Sequence, residues 1–240
     1  MENMNIITIS NPKSPISEAY RTLRTNIQFS SIDSKPKTLL ITSSSPREGK
    51  TTTAVNLAVS IAQGEKKTIL IDCDLRKPKI HTIFKISNET GGLSNILIDE
   101  TKAEQGIKET EVPNLYMLPS GKTPPNPSEL LSSQKMQHFM EYLRQNFDYI
   151  VIDSPPLIVV TDAQILSKYS DACILIVAAG ESDRNAVIKA KELLRNVNAK
   201  LIGVVLNKID ASKERYYKFY HYYETDKNKK KRGRKDRKIY

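Results

Sequence analysis

The chain has 240 residues, a formal net charge of +10 and 27% charged residues. That length suits one α/β domain with a sizeable core, and the two cysteines, Cys73 and Cys173, each inside an apolar run, exclude a disulfide scaffold or zinc site and fit a reducing cytosol. No apolar run approaches the roughly 18 residues that span a bilayer, and Met-Glu-Asn-Met-Asn at the start lacks the basic flank and apolar core of a signal peptide, so a soluble protein is expected. Ile16, Tyr20, Leu23 and Ile27 recur at helical spacing and predict an amphipathic helix over about 17–30, with Glu18, Arg21 and Arg24 on its other side. Residues 38–41 read as a strand, 44–51 as a tight loop and 54–63 as a helix stopped by Gly64. The continuous apolar runs 68–72 and 149–153 are of the kind buried on both faces of a parallel sheet, and Pro155-Pro156 ends the second abruptly. Between them, the proline-rich stretch 118–131 reads as a stiff loop, and Met136, Phe139, Met140, Leu143 and Phe147 mark a helix. A strand over 172–178, a helix over about 183–197 and a strand over 201–206 complete a body of alternating strands and helices. The expected fold is therefore α/β, a P-loop NTPase with a mostly parallel sheet covered by helices on both faces.

Beyond 211 the periodicity disappears, giving a body over 1–211 and a Tyr-rich basic tail over 212–240. From 211 to 240 there are 12 Lys/Arg against 4 Asp/Glu, so this segment carries +8 of the net charge and the body is nearly neutral. Six of the chain's 11 tyrosines fall there: Tyr216, Tyr217, Tyr220, Tyr222, Tyr223 and the final Tyr240.

The chemistry concentrates at three strand ends, where open α/β sheets bind ligands. Ser44 to Thr51 reads S-S-P-R-E-G-K-T. Backbone N–H groups and the following helix dipole would cradle phosphates, Lys50 would reach the β/γ oxygens and the Thr51 hydroxyl would ligate Mg²⁺. The second strand ends in Asp72-Cys73-Asp74-Leu75-Arg76 and the third in Asp153-Ser154-Pro155. Acidic residues after apolar runs are costly to bury unpaired, which points to a shared cation. Thr51, two phosphate oxygens and water-bridged Asp72 and Asp153 would fill a Mg²⁺ shell. Arg76, at a strand exit, is as readily a solvated side chain as a functional one. The tyrosine cluster then reads as a phosphoryl acceptor, against the plainer reading of a basic-aromatic arm for nucleic acid.

These residues resemble the bacterial tyrosine kinases of the capsular and exopolysaccharide biosynthesis family, in the form whose cytoplasmic kinase is separate from its membrane adaptor. The resemblance rests on Glu18-x-x-Arg21-x-x-Arg24, Pro46-x-Glu48-Gly49-Lys50-Thr51, 71–78, Gly92-Leu93-Ser94, 118–121 with Pro124-Pro125-Asn126-Pro127, 147–156 and the tyrosine cluster. It implies ATP and Mg²⁺ as cofactors. Ser45, Pro46, Arg47, Glu48, Gly49, Lys50, Thr51 and Thr52 would line the phosphates, and Asn207 would contact the base. Lys50, Asp72, Asp74 and Asp153 would be catalytic, with either Asp72 or Asp74 accepting the tyrosine proton. Glu18, Arg21 and Arg24 would pack subunits into a ring, an octamer in the family, that presents one tail to the neighbouring site. It further implies a transmembrane activator that recruits a cytoplasmic protein to the inner face of the membrane, other protein substrates phosphorylated on tyrosine, and control of polysaccharide synthesis or export. The rival is a P-loop ATPase of the positioning and partition type with a DNA- or membrane-binding tail; such ATPases carry a second lysine where this chain has Ser45, and a nucleic-acid arm has no need of tyrosines beside Glu224 and Asp226.

Each phosphotyrosine adds about −1.5 to −2 at neutral pH, so five would cancel the tail's charge. Full phosphorylation is expected to lower the oligomer mass in light scattering and to weaken salt-sensitive binding to anionic partners; identical behaviour of both forms would contradict this.

Overall fold

A computed structural model describes residues 6–30, 35–88, 91–99 and 102–210. In chain order the strands are β1 (Thr38–Ser43), β2 (Thr68–Asp72), β3 (Lys108–Glu109), β4 (Leu115–Leu118), β5 (Tyr149–Asp153), β6 (Ala172–Ala178) and β7 (Leu201–Asn207). The helices are α1 (Ile7–Ser10), α2 (Pro15–Gln28), α3 (Lys50–Ala62), α4 (Ile80–Phe84), α5 (Leu93–Asp99), α6 (Ala103–Gly106), α7 (Pro127–Leu131), α8 (Gln134–Asn146), α9 (Asp162–Ser167) and α10 (Arg184–Asn196). The sheet runs β3-β4-β2-β5-β1-β6-β7, every neighbouring pair parallel except β3 with β4. The compact unit that holds it ends at Asn207. The expected tail from 212 lies outside the described residues.

Alternation in the central strands divides the core in two. Leu39 and Ile41 pack with Leu57 and Ile61 of α3, whereas Leu40, Ile150 and Ile152 pack on the opposite face with Phe139, Met140 and Leu143 of α8. A third cluster seats Ala190 and Leu194 of α10 against Leu175. Helix α3 is buried along nearly its whole length because α1 and α2 cover the side turned away from the sheet. The Asn56 side chain fixes that cover, its Oδ1 accepting from the Thr8 N–H at 3.1 Å and the Thr8 hydroxyl at 3.0 Å.

Helix α2 begins earlier than its apolar spacing predicts, because Pro15 occupies the first turn and the Ser14 hydroxyl accepts from Ser17 N–H at 3.1 Å. Its apolar stripe is incomplete: Ile27 is buried and Leu23 packs on the core, but Ile16 is exposed. The stretch 118–131 is not all loop. Leu118 closes β4, which pairs with β2, and Pro127 opens α7, proline being well suited to a first turn where its missing N–H costs nothing. Elements of seven residues or fewer, such as β3, β4, α4 and α9, are too short to show a period.

Asp171 ties the starts of β1 and β6 to the end of α8. Its carboxylate accepts from Lys37 and Thr38 N–H at 2.9 and 2.8 Å and from the Arg144 guanidinium at 2.5 Å. Partial burial works against the charge, but these donors prevail and hold the carboxyl below its usual range. Its stabilisation is thus present above the ordinary carboxylate pKa and lost as pH falls through the lower folded value. Asp171→Ala is expected to cost about 1–2 kcal/mol at neutral pH, discounted for partial exposure, seen as a Tm lower by roughly 3–6 °C, with a smaller deficit in acid. An unchanged Tm would show that the tie contributes nothing.

Candidate active site

The loop between β1 and α3 is held by its own side chains. Ser44, in the place of a first glycine, is fully buried and donates its hydroxyl to both carboxylate oxygens of Glu48 at 2.8 and 3.0 Å; Ser45 N–H donates to the same carboxylate at 2.9 Å. Pro46 and Arg47 are exposed at the turn, Arg47 with a left-handed backbone (φ 66°). Gly49 (φ +95°) must be glycine, since a Cβ there would sit 1.9 Å from Asn207 Nδ2. That amide donates to the Glu48 carbonyl at 3.0 Å, so Asn207, at the end of β7, buttresses the loop with one of its two side-chain N–H groups. Lys50 opens α3, followed by buried Thr51 and half-buried Thr52.

The sheet register sets Asp72 directly beside Asp153, and both are almost wholly buried. Burial pushes both carboxyls up, and their mutual repulsion adds to the rise at Asp72; at Asp153 the Lys50 charge and a hydrogen bond from Thr51 offset part of it. Asp72 is already supplied with donors: its oxygens accept from Asp74 N–H at 3.2 Å and from Lys79 and Ile80 N–H at 3.0 Å. Asp74 follows the strand end, accepts from Lys77 N–H at 3.0 Å and lies 3.3 Å from Lys50 Nζ. Burial alone would lower the Lys50 pKa, but Asp153 and Asp74 reverse that and keep the ammonium charged. One lysine thus faces three carboxylates. The remaining need for positive charge is sharpest at Asp153, whose Oδ1 is buried without a hydrogen-bond partner. With Thr51 beside it, that orphaned oxygen fits a Mg²⁺ ion or one of its waters.

Arg76 is not merely solvated. Its guanidinium grips the buried Asp162 carboxylate through Nε at 2.9 Å and Nη2 at 3.2 Å, and Ser128 Oγ donates to Asp162 at 2.6 Å. This clasp joins the Asp72–Asp74 segment to the first turns of α7 and α9. Neither Ser128 nor Asp162 was legible as a partner, being distant in sequence. Ser182 was missed as well; it reaches Glu48 from the β6–α10 connection.

Of the proposed oligomer residues, Arg21 pairs with Glu18 at 2.6 Å and donates to the Pro12 carbonyl at 2.6 Å, while Arg24 donates to the Ser60 carbonyl of α3. Tyr216, Tyr217, Tyr220, Tyr222, Tyr223 and Tyr240 lie outside the described residues.

A family model described as an AAA domain matches residues 46–204. Tyrosine-protein kinase YwqD of Bacillus subtilis is 44% identical over 216 residues, 90% of this chain and 91% of that one. The crystal structure of the chimerical protein CapA2B2 superposes with a TM-score of 0.82 at 42% identity, covering 85% of this chain and 89% of the other. The septum site-determining protein MinD of Pyrococcus horikoshii, complexed with Mg-ADP, shares the fold at a TM-score of 0.62 and 22% identity, over 71% of this chain and 69% of its own. Identity at the level of the kinase relatives, across nearly the whole of both chains, makes this protein a member of the bacterial tyrosine-protein kinase family.

Proposed function

We propose that the protein transfers the γ-phosphoryl group of Mg-ATP to tyrosines of its own C-terminal segment, with the acceptor supplied by a neighbouring subunit. The observation that carries this reading is Lys50, first residue of α3, standing charged 3.3 Å from Asp74 at the mouth of the phosphate loop. Phosphate oxygens would draw its ammonium away from Asp74, and the N–H groups of the loop and of the start of α3 would hold them in place. Thr51, Asp153 and Asp72 would hold Mg²⁺ or its waters, and the ion would supply charge neutralisation on the phosphate oxygens. Asp72 or Asp74 would take the tyrosine proton as the tyrosine oxygen bonds to the γ-phosphorus and the bond to the β–γ bridging oxygen breaks, leaving ADP. The three N–H groups already on Asp72 favour Asp74, whose cationic partner is the one that phosphate would displace.

The reading extends to a ring-shaped homo-oligomer built through Glu18, Arg21 and Arg24, to further protein substrates and to regulation of capsular or extracellular polysaccharide synthesis or export. No helix among the described residues is long and apolar enough to cross a membrane. Attachment to the inner face of the cell membrane is therefore assigned to a transmembrane adaptor that also activates the kinase. The +8 segment and its clustered tyrosines support transfer to the tail.

Two outcomes are expected. Lys50→Met should lose tail phosphotyrosine by about a hundredfold or more in mass spectrometry with Mg-ATP, as expected where transfer depends on charge stabilisation; labelling at the wild-type rate would overturn the kinase reading. Asp153→Asn should separate stability from activity. Because burial raises the Asp153 pKa on folding, the penalty is absent below the ordinary carboxylate value and complete above the folded one. The variant's nucleotide-free Tm should rise by roughly 3–6 °C at neutral pH, about 1–2 kcal/mol, and hardly at all near pH 4, while Mg²⁺-dependent labelling is lost. A lower Tm at neutral pH would mean that the carboxylate has a partner that stabilises it.

A further inference from the structure

A phosphate loop recruits anions, yet this one contains a buried carboxylate. Glu48 is 4% exposed and its donors are all neutral: the Ser44 hydroxyl, the Ser45 N–H and the Ser182 hydroxyl. Such a charge works against phosphate binding unless it contributes something in return. Its contacts show what that is. The Ser44 and Ser45 bonds close the loop upon itself, from its first two positions to its fifth, and so hold it in shape without any phosphate present. The Ser182 bond ties the closed loop to the β6–α10 connection, where Ser182 Oγ also accepts from Ala178 N–H at 2.8 Å at the end of β6. On the other side of the same residue, the Glu48 carbonyl is held by Asn207 at the end of β7. One residue therefore anchors the loop to two neighbouring strand ends.

The geometry points to Glu48 and Ser182 as positioning residues that pre-form the nucleotide loop, making the β6–α10 connection part of what sets ATP affinity. The inference rests on the reading that this loop binds ATP phosphates. Fixing the loop before binding removes an ordering cost that would otherwise be charged to affinity. Once ATP is seated, its phosphates hold the same amides, so the tie should govern binding far more than the chemical step.

The test titrates the full-length protein with a fluorescent ATP analogue and Mg²⁺, and measures tail labelling against ATP concentration. Ser182→Ala should bind the analogue about tenfold more weakly and raise KM for ATP to match, as for loss of a hydrogen bond to a charged group, with kcat within about twofold of wild type. Ser182→Thr, which keeps the hydroxyl, should restore affinity. Hydrogen exchange of amides 44–49 should be faster in nucleotide-free Ser182→Ala and return to the wild-type rate at saturating nucleotide. Glu48→Gln, which loses one acceptor oxygen but also the charge that repels phosphate, is read by hydrogen exchange: amides 44–49 should exchange faster in its nucleotide-free form, which covers the case in which Ser182→Ala does not fold. Unchanged affinity in folded Ser182→Ala, wild-type exchange of amides 44–49 in Glu48→Gln, a defect in kcat alone, or failure of Thr to restore binding would overturn the inference. A wild-type protein that binds the analogue but labels no tyrosine would sink the kinase reading while leaving the binding comparison intact.

Discussion

Parallel pairing of β2, β5 and β1 brings Asp72, Asp153 and the phosphate loop to one edge of the sheet, and the rest of the site answers the charge that this creates. Three carboxylates crowd around Lys50, with Lys79 adding a weaker charge at Asp153, in a region nearly closed to water. Isolated charges in such a place are very costly, and a group that cannot be paired shifts its pKa instead. Both effects are present. Asp72 and Asp153 are raised, while Lys50 stays charged against its own burial. A site with excess negative charge and a neighbouring anion cradle is incomplete without a cation, and the orphaned Asp153 oxygen marks where the deficit is greatest.

The scaffold explains why that deficit persists. Helix α3 cannot shift away, because the sheet holds one side and α1 and α2 the other, so Lys50 and Thr51 begin the helix at a fixed height above β1. The clasp of Arg76 on Asp162 fixes the opposite wall, and Asn207 closes the third side by occupying the space a Gly49 side chain would need. Packing energy is thus stored in the surroundings, and the functional groups bear the electrostatic strain.

Much of this was legible in the sequence wherever pattern and chemistry coincide. The apolar runs ending in Asp72 and Asp153 announced buried parallel strands with acids at their carboxyl ends, and a tight loop ending Gly49-Lys50-Thr51 announced a helix N-terminus, although α3 starts at Lys50 and not at 54. The strands that were read are short and showed themselves as apolar runs, whereas the five-residue α7 left no period and was hidden in a proline-rich stretch whose Pro127 starts it, next to β4, which ends at that stretch's first residue. Long-range partners were hidden for a different reason. Nothing local to Arg76 names Asp162, and nothing local to Glu48 names Ser182 or Asn207; only the fold brings these segments together. Ser44, standing where such a loop carries its first glycine, likewise gives no sign in the sequence that its hydroxyl is half of the loop's internal tie.

The central claim, that one copy phosphorylates another's tail, is tested most directly by mixing two chains. Full-length Lys50→Met supplies tails without catalysis, and an otherwise wild-type chain truncated after residue 210 supplies catalysis without tails. With Mg-ATP, phosphotyrosine should accumulate on the Lys50→Met tail at a rate that rises with the concentration of the truncated chain. Absence of that transfer, when full-length wild-type protein labels itself at a rate independent of its concentration, would contradict it.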